Sequence, residues 1–290
     1  MKNLFKKLKE KFFADPQVVV LLKPHGQTGF LDGELARLMA YSLRRGSNRR
    51  EVLINPRVNR KSDCVLACDP ESLAGALAQK QSEDISFVAA GPVLDWQPAV
   101  PVDPRIDLIL APTEAIKESW ISHDQAWQER IAVWRPGVLD RGVASRSKGT
   151  CLIYARGIKK EFFDKVATWF WEQDFRFDVY DKDEFDERAF DNLLKKSSWV
   201  LYLNEEPTDH LPLYAAWMAN VPTLVYSKKM IEVPTTAGVA LTDEDELRAA
   251  LSAFVAGKEE YAPRAHALAS HTDKVAAGRL LSIVRGYSTD

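Results

Sequence analysis

The sequence predicts an α/β protein with two domains, on three observations. The chain has 290 residues, and a typical domain has about 100–150 residues. Short apolar runs alternate with helical patterns along most of the chain, which indicates parallel sheets with crossover helices. A polar stretch at 140–150 interrupts the alternation and is the predicted domain boundary. We therefore expect two Rossmann-like domains facing across a cleft.

The first half opens with the continuous apolar run 18–22, which is typical of a parallel strand buried on both faces. Asp69 precedes the helical pattern at 70–80 and is its predicted N-cap, as Thr113 is for the helix at 113–121. The remaining predicted elements of this half are a helix at 34–45 and strands at 51–56, 63–68, 85–92, 106–113 and 130–134. The predicted first domain is 17–145.

The second half repeats the alternation. Its predicted strands are 151–155, 175–181, 198–203 and 221–227, and its predicted helices are 159–173, 185–196, 211–219 and 243–257, followed by a helical tail at 260–286. The predicted second domain is 146–260. The predicted tail domain is 261–290, with packing back on the first domain as one option.

Composition limits the function classes. Lys and Arg number 39 against 41 Asp and Glu, for a net charge of −2, which argues against a nucleic-acid partner. The three cysteines are too few and too irregular for a disulfide framework and are predicted to be small buried apolar residues. Neither an apolar run of about 20 residues nor a signal peptide is evident. We expect a cytoplasmic protein of unspecified oligomeric state.

The segment 1–16 predicts an amphipathic helix that ends at Asp15-Pro16. Residues 1–13 carry five lysines and one glutamate, hence +4, and an apolar side that includes Leu4, Leu8 and Phe12. One hypothesis is peripheral attachment to the anionic inner face of a membrane. The other is a helix packed on its own protein or on a second subunit.

Three segments carry a family resemblance: IDLILAPTEAIKESW (106–120), ERIAVWRPGVLD (129–140) and KKSSWVLYLNEEPTDHLPLYAAWMANVPTLVY (195–226). In order and spacing they resemble the family-4-like (group 1) glycosyltransferases of GT-B architecture. The resemblance implies transfer of a sugar from a nucleotide-sugar to a polysaccharide, lipid-linked or other acceptor, with retention as the favoured course. It implies no metal and no cofactor besides the donor substrate.

The donor-site block departs from the family pattern E-x7-E. Its two glutamate positions fall on Pro207 and Ala215. Glu205 or Glu206 can take the first role by a small shift, but nothing replaces the second. This departure keeps an alternative open, a non-catalytic GT-B-like protein that binds a sugar, a nucleotide or a protein partner.

Positive charge at the leaving diphosphate is the main chemical requirement of the implied reaction. The resemblance assigns it to Arg156 after the strand 151–155, together with Lys159 or Lys160, of which Lys160 is the catalytic candidate. Arginine grips phosphate with two hydrogen bonds, whereas lysine acts as a point charge. The alternative is a solvated turn beside a helix start.

Two loops supply the other candidates. In the loop 204–210, Glu205 and Glu206 could bind sugar or ribose hydroxyls, and the helix start at Thr208, Asp209, His210 and Leu211 could hold a phosphate through backbone N–H groups. Alternatively, Thr208 or Asp209 is only an N-cap and His210 a surface residue. After the first strand, Gly26 and Gly29 allow close approach to the donor, and His25 is the candidate base for an inverting course, although ordinary turn chemistry also explains the glycines.

Overall fold

The computed structural model describes residues 18–21, 31–46, 52–55, 64–81, 85, 87–96, 103–144, 149–180, 186–205, 210–228, 231–257 and 260–288. The chain divides into two compact units. The first runs to Gly137 and takes in Asp273–Asp290, and the second is Val138–Thr272. The division falls shortly before the polar stretch at 140–150. The predicted helix at 1–16 lies outside the described residues.

The first unit is a parallel sheet with helices on both faces. Its strands are β1 (Val18–Leu21), β2 (Val52–Ile54), β3 (Cys64–Ala67), β4 (Val88–Ala90), β5 (Leu108–Ala111) and β6 (Ile131–Val133), in the order β2-β1-β3-β4-β5-β6. Its helices are α1 (Gly33–Gly46), α2 (Pro70–Gln81) and α3 (Glu114–His123), followed by a 3-10 turn at Gln125–Trp127. The chain order and the parallel pairing are those expected from the alternation.

Strand side chains alternate between two cores, because successive residues of a strand point to opposite faces. Val18 and Val20 join a cluster with Met39 of α1. Val19 joins another with Trp120 of α3. Burial on both faces explains why the sequence of β1 is apolar without interruption.

The C-terminal helices α8 (Pro263–Ser270) and α9 (Asp273–Ser288) belong to different units. The sequence predicted a helical tail at 260–286, and the structure divides this tail into two helices at His271 and Thr272. Helix α9 packs on α1, where Ser42 Oγ donates a hydrogen bond to Asp273 Oδ1 at 2.9 Å. It thereby completes one apolar face of the first sheet.

The second unit is also a parallel sheet. Its strands are β7 (Thr150–Arg156), β8 (Arg176–Tyr180), β9 (Trp199–Asn204), β10 (Thr223–Tyr226) and β11 (Gly238–Leu241), in the order β11-β10-β9-β7-β8. Its other helices are α4 (Lys160–Glu172), α5 (Glu187–Leu194), α6 (Leu211–Met218) and α7 (Glu244–Val255). The sequence analysis missed β11, a short strand that pairs only with β10 within the described sheet and has partly exposed side chains.

Both sheets have a topological switch point, a strand whose two neighbours in the sheet are connected to the rest of the chain in opposite directions. It lies at β1 in the first sheet, between β2 and β3, and at β7 in the second, between β8 and β9. In open α/β sheets, ligands bind beyond the carboxyl ends of the strands at this point. In the second sheet, this rule predicts a ligand site at the residues that follow β7 and β9.

Across the described helices, none combines the length and the apolar character needed to span a membrane.

Candidate functional site

The switch point of the second sheet places Arg156 next to Asn204. These residues end β7 and β9 and are partners in the parallel register. The backbone N–H of Glu205 donates to the Arg156 carbonyl at 3.3 Å, which extends the pairing beyond the strands. The Arg156 side chain is exposed. Two of the predicted site residues, Arg156 and Glu205, are therefore brought together by adjacent strands.

A buried polar and aromatic layer supports this edge. Asn204 is fully buried, and its Nδ2 donates to Tyr202 Oη at 2.9 Å. The rings of Tyr154 and Tyr202 stack with centroids 5.1 Å apart. A buried amide with a hydrogen-bond partner and stacked rings hold the ends of β7 and β9 in a fixed arrangement. Sequence reasoning missed Asn204 and Tyr202 as parts of the site, because Arg156 and Tyr154 become their neighbours only in the folded sheet.

The start of α4 follows directly from β7. Gly157 has φ +65°, a conformation that glycine adopts without steric cost, and turns the chain after Arg156. Lys159 is the N-cap residue, and within the described residues its side chain makes no capping hydrogen bond. Lys160 is the first helical residue, is largely exposed and lies 3.7 Å from Asp164. The first backbone N–H groups of a helix have no partner within the helix. At this helix start they lie beside two cationic side chains, those of Lys159 and Lys160.

The start of α6 is formed by His210 and Leu211. His210, not Thr208 or Asp209, occupies the N-cap position, and its backbone is left-handed with φ +57°. Its Nδ1 lies 3.5 Å from Tyr202 Oη, so the ring contacts the supporting layer rather than being only a surface group. Leu211 is buried. The helix start predicted from the sequence is thus present, and His210 joins it to β9.

An ion pair that the sequence analysis did not predict lies at the same edge. Lys228 follows β10, and its Nζ is 2.7 Å from Glu205 Oε1. The hydrogen bond to Glu205 raises the pKa of Lys228 above its ordinary value. Lys228 comes directly after the predicted strand at 221–227, and residues following neighbouring parallel strands meet at one edge. Listing the charged residues that directly follow each predicted strand would therefore have identified Lys228 as a candidate.

The helix starts differ in their caps. Side chains of Asp or Thr accept backbone N–H bonds at five other starts, namely Asp32 for α1, Asp69 for α2, Thr113 for α3, Asp186 for α5 and Asp243 for α7. The predictions for Asp69 and Thr113 are confirmed. Helix α4 has Lys159 at the corresponding position. Its start is therefore suited to an anion, whereas a carboxylate already occupies four of those five starts.

Other predicted site residues are not described. His25, Gly26, Gly29, Glu206, Thr208 and Asp209 lie outside the described residues. Ala215, the second glutamate position of the family block, is half-buried in α6 and lines a small crevice with Arg141 and Asp191.

The cysteines are free and buried, as predicted. Burial raises the pKa of the Cys68 and Cys151 thiols, which makes thiolate chemistry at these positions unfavourable. In the part of the chain that the structure describes, no group of three or more His, Cys, Asp or Glu residues could hold a metal ion.

Comparison with known proteins was made on sequence and on structure. No family model matches the sequence, and no curated protein matches it. The apo lipopolysaccharide outer core galactosyltransferase WaaB is similar over 93% of this chain and 99% of that chain, with a TM-score of 0.64 at 13% identity. A chain of the GtfA/B complex is similar over 80% of this chain, which spans 58% of that one, with a TM-score of 0.53 at 13% identity. The strand orders of the two parallel sheets, together with these similarities, show that the chain has the GT-B glycosyltransferase fold.

Proposed function

We propose that this protein is a glycosyltransferase that moves a sugar from a nucleotide-sugar to a glycan, lipid-linked or other acceptor. The observation that carries the proposal is the start of α4 at the switch point, where Arg156 ends β7 and Lys159 occupies the N-cap position in place of an acidic or hydroxyl residue. A diphosphate is the part of a nucleotide-sugar that such a start would recognise.

In the proposed reaction, the bond between the sugar C1 and the diphosphate oxygen breaks, and the electron pair goes to that oxygen. Arg156 binds the diphosphate with two hydrogen bonds, and Lys159, Lys160 and the N–H groups of α4 add positive potential. The acceptor hydroxyl forms the new bond to C1 and loses its proton. Charge on the leaving group is thus balanced by side chains and backbone, and the proposal needs no metal.

Stereochemistry depends on how the acceptor proton leaves. We favour retention, in which the departing diphosphate can take that proton and no separate base is needed. Inversion requires a protein base, for which His25 is the candidate. On the donor side, Glu205 would accept a hydrogen bond from a sugar or ribose hydroxyl, and its ion pair with Lys228 would hold the carboxylate in place.

Thermal stabilisation by UDP-, GDP-, ADP- and TDP-sugars tests the donor. A ligand at about 100 times its dissociation constant adds about 2.7 kcal/mol to the free energy of unfolding, which is readily seen as a higher melting temperature. We expect a response to at least one donor. The absence of any response would overturn the proposal.

Arg156→Ala tests the assignment within the site. Charge-assisted hydrogen bonds contribute about 1.5–3 kcal/mol, so the variant should lose more than about tenfold in donor affinity or turnover while keeping its fold. Arg248→Ala, which changes an exposed arginine of α7, is the matched control and should behave like the unchanged protein. Unaltered transfer by Arg156→Ala would remove Arg156 from the site.

Release of nucleoside diphosphate in the presence of glycan and lipid-linked acceptors separates transfer from binding. A transferase releases it only when an acceptor is present, beyond slow hydrolysis. A protein that binds the donor tightly and releases none with any acceptor would correspond to the non-catalytic alternative.

A further inference from the structure

A second concave surface lies at the other edge of the second sheet. It is an open groove of about 670 Å³, a volume typical of small-molecule sites. Thr150 and Arg176, which begin β7 and β8 and pair in the register, are among its lining residues. Arg156 ends the seven-residue strand β7, so the groove is about 20 Å from the candidate donor site. It is therefore a separate surface.

Aromatic side chains form the apolar part of this groove. Trp171, in the last turn of α4, is 68% exposed, more than any other large apolar side chain among the described residues. Phe177 is half-buried, with its ring centroid 5.2 Å from that of the core residue Phe170. Phe175 is half-buried in the same way against Trp199. The groove thus combines a solvent-exposed indole ring with two phenyl rings that are held in place by the core.

Charged side chains form the polar part, and their charges cancel. Asp174 and Asp178 line the groove together with Arg176 and Lys196. A site for a nucleotide or another phosphate needs an excess of positive charge, which is absent among the described lining residues. A neutral ligand rich in hydroxyl groups suits this set, because carboxylates accept from hydroxyls and guanidinium and ammonium groups donate to them.

The turn after α4 fixes the position of Asp174 relative to Trp171. Asp174 has φ +48°, and its N–H donates to the Trp171 carbonyl at 3.1 Å, while Phe175 N–H donates to the Phe170 carbonyl at 3.1 Å. This is the closing turn of a helix, and asparagine adopts the same left-handed backbone. The aromatic face and the first carboxylate are therefore presented by one rigid turn.

We propose that this groove binds a neutral oligosaccharide chain. One sugar ring stacks through its C–H face on Trp171, because the aromatic face is electron-rich and the C–H groups are weakly positive. Hydroxyls of this and the neighbouring sugar units pair with Asp174 and, on the other face of β8, with Arg176 and Asp178. The groove would hold a glycan away from the donor site, and the inference does not depend on the proposed transfer reaction.

Calorimetry and affinity electrophoresis with neutral oligosaccharides test the inference. The probes are malto-, cello-, manno- and galacto-oligosaccharides of six or more sugars. We expect at least one series to bind, Trp171→Ala to weaken it about tenfold or more, and Trp171→Phe to retain most of the affinity. Asp174→Asn should weaken binding less, with an unchanged melting temperature because the turn is kept.

Two controls separate this site from the rest of the molecule. Tyr41→Ala removes another exposed aromatic side chain, 39% exposed and in the first unit, and should leave glycan binding unchanged. Arg156→Ala should also leave it unchanged, even where nucleotide-sugar binding is lost. If no nucleotide-sugar stabilises the protein, the test of oligosaccharide binding is unaffected. If no oligosaccharide binds, the test of nucleotide-sugar binding is likewise unaffected.

Three results would overturn the inference. The first is no binding of any of these oligosaccharides at millimolar concentration. The second is binding that Trp171→Ala does not alter. The third is a self-associated protein that Trp171→Ala converts to monomer in sedimentation velocity, since the groove would then be an interface between copies of this chain.

Discussion

Helices α1 and α4 hold equivalent places in the two units, since each follows the first strand of its sheet at the switch point, yet they begin in opposite ways. At α1, the Asp32 side chain accepts a hydrogen bond from Leu35 N–H at 3.1 Å. At α4, the N-cap is Lys159, which makes no such bond among the described residues. One start is satisfied by its own carboxylate, and the other presents N–H donors beside a cation. The two units therefore share a topology but differ in the local sequence at this helix start, which in α4 leaves the first N–H groups without a side-chain cap among the described residues.

The next two helices of the first unit, α2 and α3, are also capped by their own side chains. Asp69 caps α2 through Ser72 N–H at 2.9 Å, and Thr113 caps α3 through Ile116 N–H at 3.3 Å. A self-capped start is stable without a ligand, whereas a start with a lysine cap gives up about 1 kcal/mol of local stability. Binding of a diphosphate at the proposed site would restore that stability.

The largest effect should come from giving α4 the start that α1 has. Lys159→Asp places a good capping residue at backbone angles that suit a cap, so the melting temperature should rise, by an amount corresponding to about 0.5–1 kcal/mol. Donor affinity should fall more than about tenfold, because a carboxylate then faces the diphosphate. Donor titrations followed by melting temperature measure both.

Lys274→Asp is the matched control for that exchange. It makes the same charge change in α9 of the first unit and should leave donor affinity as it was. If Lys159→Asp binds donors as well as the unchanged protein does, the contrast between α1 and α4 has no bearing on ligand binding.

A smaller effect is expected when a cap is removed from the first unit. Asp69→Ala loses hydrogen bonds to Ser72 N–H and Ser72 Oγ and should lower the free energy of unfolding by about 1 kcal/mol. Donor affinity should stay unchanged, since the second unit carries the proposed diphosphate site. Urea denaturation measures the loss, and Asp69→Asn, which can still cap, should recover most of it. A loss of donor affinity in the folded Asp69→Ala protein would contradict the division of roles between the units.

The smallest change in stability is expected at the N-terminus, which tests whether the first unit also carries a membrane contact. Deleting residues 1–14 removes the +4 segment. We expect it to abolish co-sedimentation with anionic vesicles, to have no consequence with neutral vesicles, and to leave the melting temperature nearly unchanged.

A different outcome would assign that segment to the protein's own packing. If the intact protein ignores anionic vesicles and the deletion lowers the melting temperature by several degrees, the segment is structural. The hypothesis of peripheral attachment to the inner face of a membrane would then be wrong.

Local signals were sufficient for most elements and for part of the candidate site. The capping roles of Asp69 and Thr113 follow from residue type and the helical pattern after them, and the structure confirms both. Arg156 was proposed from the family resemblance, which assigns the charge at the leaving diphosphate to an arginine after the first strand of the second domain. Asn204 lies beside Arg156, and Lys228 beside Glu205, because strands distant in the sequence pair in the folded sheet.

The sequence by itself determined the α/β alternation, the N-caps Asp69 and Thr113 and the cationic start of α4, because all of these depend on residues within a turn or two of one another. Only the tertiary structure decided that β7 lies between β8 and β9, which sets Arg156 beside Asn204 and brings Lys228 to Glu205. It also decided the return of α9 to the first unit. Strand order and unit membership follow from burial of apolar faces against distant parts of the chain, and no local pattern in one sequence carries that information.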